Sequence, residues 1–159
     1  MKIYIPLRDG QVVSQEVMNG LIINNCEAVP ITTKGEKIYR ESNRNGNLLR
    51  AIEFVLENDE DHLMFMDSDV VLPFGIVAEI LDEQVNLGQS IRTLATDKGT
   101  HGLVYIKRDR IDQLRMYLQE LDYASNDDHK HCTICAFLNS TPNIMVSNNK
   151  VREVDLQHV

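Results

Sequence analysis

Leu63-Met64-Phe65-Met66 is the segment that most narrows the folds open to this chain, because an unbroken apolar run ends abruptly in Asp67-Ser68-Asp69. Half-exposed strands alternate apolar and polar residues, whereas a continuous run suits a central strand covered on both faces. The polar stretch Glu57 to Asp61 precedes it, and Pro73 follows as a residue favoured in the first turn of a helix. Such a strand implies a sheet with helical layers on its two sides.

The rest of the chain fits that frame. Ile3 to Leu7 reads as a first strand. Ser14 is placed to cap a helix with Val17, Met18, Leu21 and Ile22 inward, and Asn24-Asn25 ends it. Ala28 to Thr32 is a short second strand, followed by a polar loop through Lys34-Gly35-Glu36. Leu48, Ala51, Ile52, Val55 and Leu56 form one helical stripe. A helix beginning near Pro73 carries Ile76, Val77, Ile80 and Leu81. Strands are predicted at Ile91 to Ala95 and Leu103 to Lys107. Asp109 then caps a helix with Ile111, Leu114, Leu118 and Leu121 inward. Thr133 to Leu138 and Asn143 to Val146 read as closing, antiparallel strands, and 143–159 as either a hairpin arm or a tail. Apolar runs alternating with amphipathic helices define an α/β chain with a mostly parallel sheet. Its 159 residues suit a single domain.

Composition excludes several classes. No apolar run approaches the ~20 residues of a membrane span, and the N-terminus lacks the pattern of a signal peptide, so a cytoplasmic protein is expected. A formal charge of −8 argues against broad contact with nucleic acid. Cys26, Cys132 and Cys135 are an odd set without a secretion signal, which points to free thiols rather than a disulfide framework; Cys26 is expected to be buried.

Chemistry gathers at Asp67 and Asp69. Side chains two apart on an extended segment point the same way, and open α/β sheets bind ligands beyond the carboxyl ends of their strands. Two carboxylates there repel unless a cation lies between them. Mg²⁺ or Mn²⁺ takes such oxygen ligands and keeps positions open for phosphates.

The order of these motifs resembles the GT-A fold glycosyltransferases, especially the large family of inverting enzymes that includes cellulose, chitin and O-antigen sugar transferases. The matching features are Pro6 ending the first strand, Arg44-Asn45 opening a helix with Ala51 behind it, and the apolar strand ending in Asp67-Ser68-Asp69. Leu72-Pro73 and Gly102-Leu103-Val104-Tyr105-Ile106-Lys107-Arg108 extend the match. The resemblance implies a Rossmann-like nucleotide-diphospho-sugar transferase domain that moves a sugar from a nucleotide-diphosphate donor to an acceptor hydroxyl. Asp67 and Asp69 would hold the metal on the donor, with Ser68 between them. Pro6, Leu7, Arg8 and Asp9 would line the nucleotide, and Arg44 would lie near the donor. Where the family usually has an acid after the second strand, this chain has Ile31-Thr32-Thr33.

By the same resemblance, Asp128 is the first candidate for the general base on the acceptor hydroxyl and Asp127 the second, since a positioned carboxylate can take that proton. His158 is a candidate to complete the metal shell. The stretch His129-Lys130-His131-Cys132-Thr133-Ile134-Cys135 also offers four zinc-type ligands, and a zinc-stabilised binding module is one alternative reading. Another is a phospho-acceptor domain like the response-regulator receivers, suggested by the apolar strand ending in Asp67. Those domains carry an acidic pair after the first strand, where this chain has Leu7-Arg8-Asp9.

Overall fold

The computed structural model describes residues 1–7, 10–32, 40–87, 91–95, 101–120 and 146–150, with the backbone alone at 40–45, 83–84, 86–87, 95, 101, 120 and 146–150. In chain order the elements are β1 (Lys2–Leu7), α1 (Gln15–Ile23), β2 (Glu27–Thr32), α2 (Arg40–Glu57), β3 (His62–Met66), α3 (Ile76–Leu87), β4 (Ile91–Ala95), β5 (His101–Lys107), α4 (Arg108–Glu120) and β6 (Val146–Lys150). They form one six-stranded sheet in the order β2-β1-β3-β5-β4-β6. β1 pairs parallel with β2 and β3, and β4 pairs parallel with β6, while β5 is antiparallel to both its neighbours. Among the described strands, five therefore run one way and β5 runs against them.

Period-two alternation in the strands sorts the core into two layers. Tyr4, Leu63, Phe65, Ile91, Val104 and Ile106 face α2 and α4, where Leu48, Ala51, Ile52, Val55, Ile111, Leu114 and Leu118 meet them. Ile3, Ile5, Met64, Met66, Leu94, Leu103 and Tyr105 face the other way, onto Val17 and Leu21 of α1 and Val77 and Ile80 of α3. Leu63, Met64, Phe65 and Met66 are all buried, as their unbroken apolar sequence requires. Each fully buried Leu or Ile contributes about 1.5–3 kcal/mol, which is how a helix as polar in its first half as α2 is held.

Helix ends follow local chemistry. The Ser14 side chain accepts the Val17 N–H at 3.3 Å, capping α1. At its far end Asn25 takes a positive φ of 55°, with Asn25 N–H bonding Ile22 O at 3.0 Å and Cys26 N–H bonding Leu21 O at 2.9 Å. That is a Schellman motif with Asn in the left-handed position. α2 ends the same way: Asp59 has φ 54°, and Glu60 N–H reaches Val55 O at 3.0 Å.

Several details differ from the sequence-based expectations. Ile22 is 59% exposed, outside the inward stripe of α1. α2 begins at Arg40, so Arg44-Asn45 lies in its second turn and does not open it; the preceding Arg, Glu and Ser are compatible with helix and extend it. α3 begins at Ile76 rather than near Pro73, because Pro73 to Ile76 forms a turn with Gly75 at φ 83° and the Ile76 N–H on Pro73 O at 3.4 Å. A positive φ at the third position is what a type II turn asks of glycine. Asp109 falls inside the first turn of α4, since the helix starts directly after β5. β6 begins where a strand from Asn143 to Val146 was expected to end, and it is parallel to β4 rather than antiparallel. Alternation along a strand carries no information on its direction. Thr133 to Leu138, Leu121 and the loop Lys34-Gly35-Glu36 lie outside the described residues.

Candidate functional site

The strand order sets the place. From β1 the chain passes through α1 to β2 on one side, then through α2 to β3 on the other, and the two helices cover opposite faces. The carboxyl ends of β1 and β3 thus flank a topological switch point, where open α/β sheets take their ligands. β1 and β3 are in register at Tyr4↔Phe65. Two residues beyond Tyr4, Pro6 has no N–H with which to extend a ladder.

Asp67, Ser68 and Asp69 stand at this edge, directly after β3. They do not continue the strand. Asp67 N–H still donates to Gly102 O of β5 at 2.9 Å, but the chain then turns, and Val70 N–H returns to Asp67 O at 3.3 Å. The two carboxylates are therefore carried by a turn and not aligned by strand periodicity. Asp and Ser are turn-forming residues, so the signal for this was in the sequence. All three residues are half-buried, and Val70 and Leu72 behind them are buried. Gln11, from the segment after β1, donates its Nε2 to Ser68 Oγ at 3.4 Å, linking that segment to the turn.

Other candidate residues distribute unevenly. Pro6 and Leu7 end β1 at the same edge, Pro6 half-buried and Leu7 buried. Arg44 lies on α2, and its place follows from Arg50, whose Nη1 donates to Thr32 O at the carboxyl end of β2. The α2 residues before Arg50 lie toward that edge or beyond it. Arg8, Asp9, Asp127, Asp128 and His158 lie outside the described residues, as do His129, His131, Cys132 and Cys135. Cys26 is half-buried rather than buried; its Sγ donates to Asn24 O at 3.3 Å, and burial pushes its thiol up.

Three residues at or near the sheet escaped the sequence reading. Gln11 left no signal in a polar segment. Asn47 is 2% exposed on the inward stripe of α2; a polar residue one turn before Ala51 in an apolar stripe was the available sign. Arg92 is fully buried in β4, on the face it shares with Leu94, and nothing in Ile91-Arg92-Thr93 marked that face as closed.

Asp67 and Asp69 offer two carboxylates on one turn, and no group of three or more His, Cys, Asp or Glu able to hold a metal is found among the described residues. Mg²⁺ and Mn²⁺ are commonly bound by one or two carboxylates with substrate phosphates filling further positions, so these residues fit such an ion.

The mixed sheet in this order, flanked by helices on both faces, matches the nucleotide-diphospho-sugar transferase fold. Several solved structures share this architecture. A protein assigned as a nucleotide-diphospho-sugar transferase from Desulfovibrio desulfuricans G20 superposes with a TM-score of 0.58 at 13% identity, covering 97% of this chain and 81% of that one. A glycosyltransferase involved in glycosylation of the major capsid of PBCV-1 gives 0.65 at 8% identity, over 94% and 81%. Rv0371C from Mycobacterium tuberculosis H37Rv, solved in complex with manganese, gives 0.54 at 11% identity, over 96% and 88%. At these identities the likeness is one of fold. No family model and no curated protein sequence matches the chain. The antiparallel β5 beside β3 also sets the chain apart from the receiver sheet order 2-1-3-4-5. No helix among the described residues is long and apolar enough to cross a membrane.

Proposed function

We propose that the chain is a metal-dependent glycosyltransferase that moves a sugar from a nucleotide-diphosphate donor to an acceptor hydroxyl. The observation that carries this reading is the Asp67-Ser68-Asp69 turn at the switch point between β1 and β3. Asp67 and Asp69 hold Mn²⁺ or Mg²⁺, with His158 a candidate third ligand. A bound cation there supplies charge stabilisation to the departing diphosphate. Pro6, Leu7, Arg8 and Asp9 line the nucleotide, Ser68 lies beside its phosphates, and Arg44 adds positive charge to the donor. The acceptor oxygen bonds to the anomeric carbon as the bond from that carbon to the diphosphate oxygen breaks. Asp128, or failing it Asp127, takes the hydroxyl proton, and the nucleoside diphosphate leaves with the bonding electrons.

Incubating purified protein with a panel of nucleotide sugars, with and without Mn²⁺, and measuring released nucleoside diphosphate tests the proposal. Metal-dependent release that Asp67→Ala and Asp69→Ala both remove is the expected result. Release untouched by either substitution, or no release with any donor or acceptor tried, counts against it.

A further inference from the structure

We infer that Asn24, at the end of α1, is a positioning residue for the Asp67–Asp69 turn, an inference that rests on the metal-site reading proposed above. Asn24 lies outside every motif that pointed to function, yet its side chain ties three elements together. Its Nδ2 donates to Gly20 O at 2.8 Å and to Pro73 O at 3.0 Å, and its Oδ1 accepts the Val77 N–H at 3.4 Å. One amide thus joins the end of α1, the segment that follows the carboxylates, and the first turn of α3.

The Asn24 Nδ2 bond to Pro73 O, at 3.0 Å, is shorter than either turn bond of the segment around it, while the Val77 N–H bond to Asn24 Oδ1, at 3.4 Å, is as long as they are. Val70 N–H to Asp67 O is 3.3 Å and Ile76 N–H to Pro73 O is 3.4 Å, both beyond the usual range for an N–H donor. Asn24 is itself well fixed. It is the C-cap of α1, and the Schellman bonds of Asn25 and Cys26 hold the backbone on either side of it. Gly20, one turn earlier, lies so close that a Cβ there would sit 2.8 Å from Leu72 N and 3.0 Å from Leu72 O. The backbone three and four residues beyond Asp69 is therefore seated on α1 at Leu72 and tied to it at Pro73. Asn24 touches neither carboxylate; it acts through the backbone that follows them, as groups outside the ligand set orient the ligands.

The two halves of the amide are separable. Asn24→Asp keeps an acceptor for the Val77 N–H at a helix N-terminus, where a carboxylate is favoured, but cannot donate to Pro73 O or Gly20 O. Asn24→Ala removes both halves. Mn²⁺ binding is measured by electron paramagnetic resonance, with and without inorganic pyrophosphate as a probe of the diphosphate. Wild type, Asn24→Asp, Asn24→Ala and Asp67→Ala are compared well below each protein's Tm. Both Asn24 variants are expected to fold and to bind Mn²⁺-pyrophosphate about 10-fold more weakly than wild type, while Asp67→Ala binds none. Wild-type affinity in the Asn24 variants alongside loss in Asp67→Ala overturns this inference and leaves the metal site standing. Equal binding by wild type and Asp67→Ala overturns the metal site and this inference with it. Failure of both Asn24 variants to fold also overturns it, because Asn24 then serves the fold and not the site.

Discussion

Gly20 illustrates how much one missing methyl group governs. In the middle of α1 its replacement by Ala raises helix propensity, a gain of about 1 kcal/mol. The added Cβ, however, meets the Leu72 backbone at 2.8 Å, and backbone cannot rotate away as a side chain tip can. Overpacking costs about 1–3 kcal/mol, so Gly20→Ala is expected to lower the urea midpoint despite the better helix former; a raised midpoint would show that the loop yields freely. Asp128 is the other residue on which a sharp outcome depends. If it takes the acceptor proton, Asp128→Asn keeps the shape and removes the basicity, so turnover falls by ~10²–10⁴-fold while donor binding is retained. A matching loss of donor affinity would place Asp128 among the donor ligands, and undiminished turnover would move the test to Asp127.

Among the elements, the β3–β5 pair carries a titratable group at the end opposite the carboxylates. His62 opens β3 in register with Lys107, and its ring stacks on Tyr105 with centroids 5.1 Å apart. Burial holds its imidazole below the ordinary 6.5, outweighing Glu60 and Asp61, which push it up. The folded chain therefore favours neutral His62. As pH falls through 6.5 the unfolded chain takes the proton first, and stability drops. Above that range His62 contributes no pH dependence. His62→Phe keeps a ring against Tyr105 and is expected to flatten this part of the profile, measured by urea unfolding at about pH 5 and about pH 8. An unchanged slope would assign the acid sensitivity elsewhere. Elements were legible where residue type and period agreed, as in the α2 stripe from Leu48 to Val55 and the apolar run of β3. They were less so where a turn intervened: Pro73 suggested a helix start, but the positive φ of Gly75 delays it to Ile76. Val146-Ser147-Asn148-Asn149-Lys150 is too polar to announce the sixth strand, which is recruited by the edge of β4.

For the whole molecule, the α/β class and the end of the sheet at which Asp67 and Asp69 stand were readable, because they follow from which apolar runs precede which acids. The switch point was not, since strand order arises from contacts between segments far apart in sequence. Nor was the Asn24–Pro73 tie, spanning 49 residues. The central claim is that Asp67 and Asp69 join a cation to a nucleotide diphosphate at that switch point. A thermal-shift panel of nucleotide sugars with and without Mn²⁺ tests it most directly, because a ligand at 100 times its Kd stabilises the fold by about 2.7 kcal/mol. The account predicts at least one donor that raises Tm only when Mn²⁺ is present, and no such rise in Asp67→Ala or Asp69→Ala. A metal-dependent rise of the same size in the double variant would contradict it.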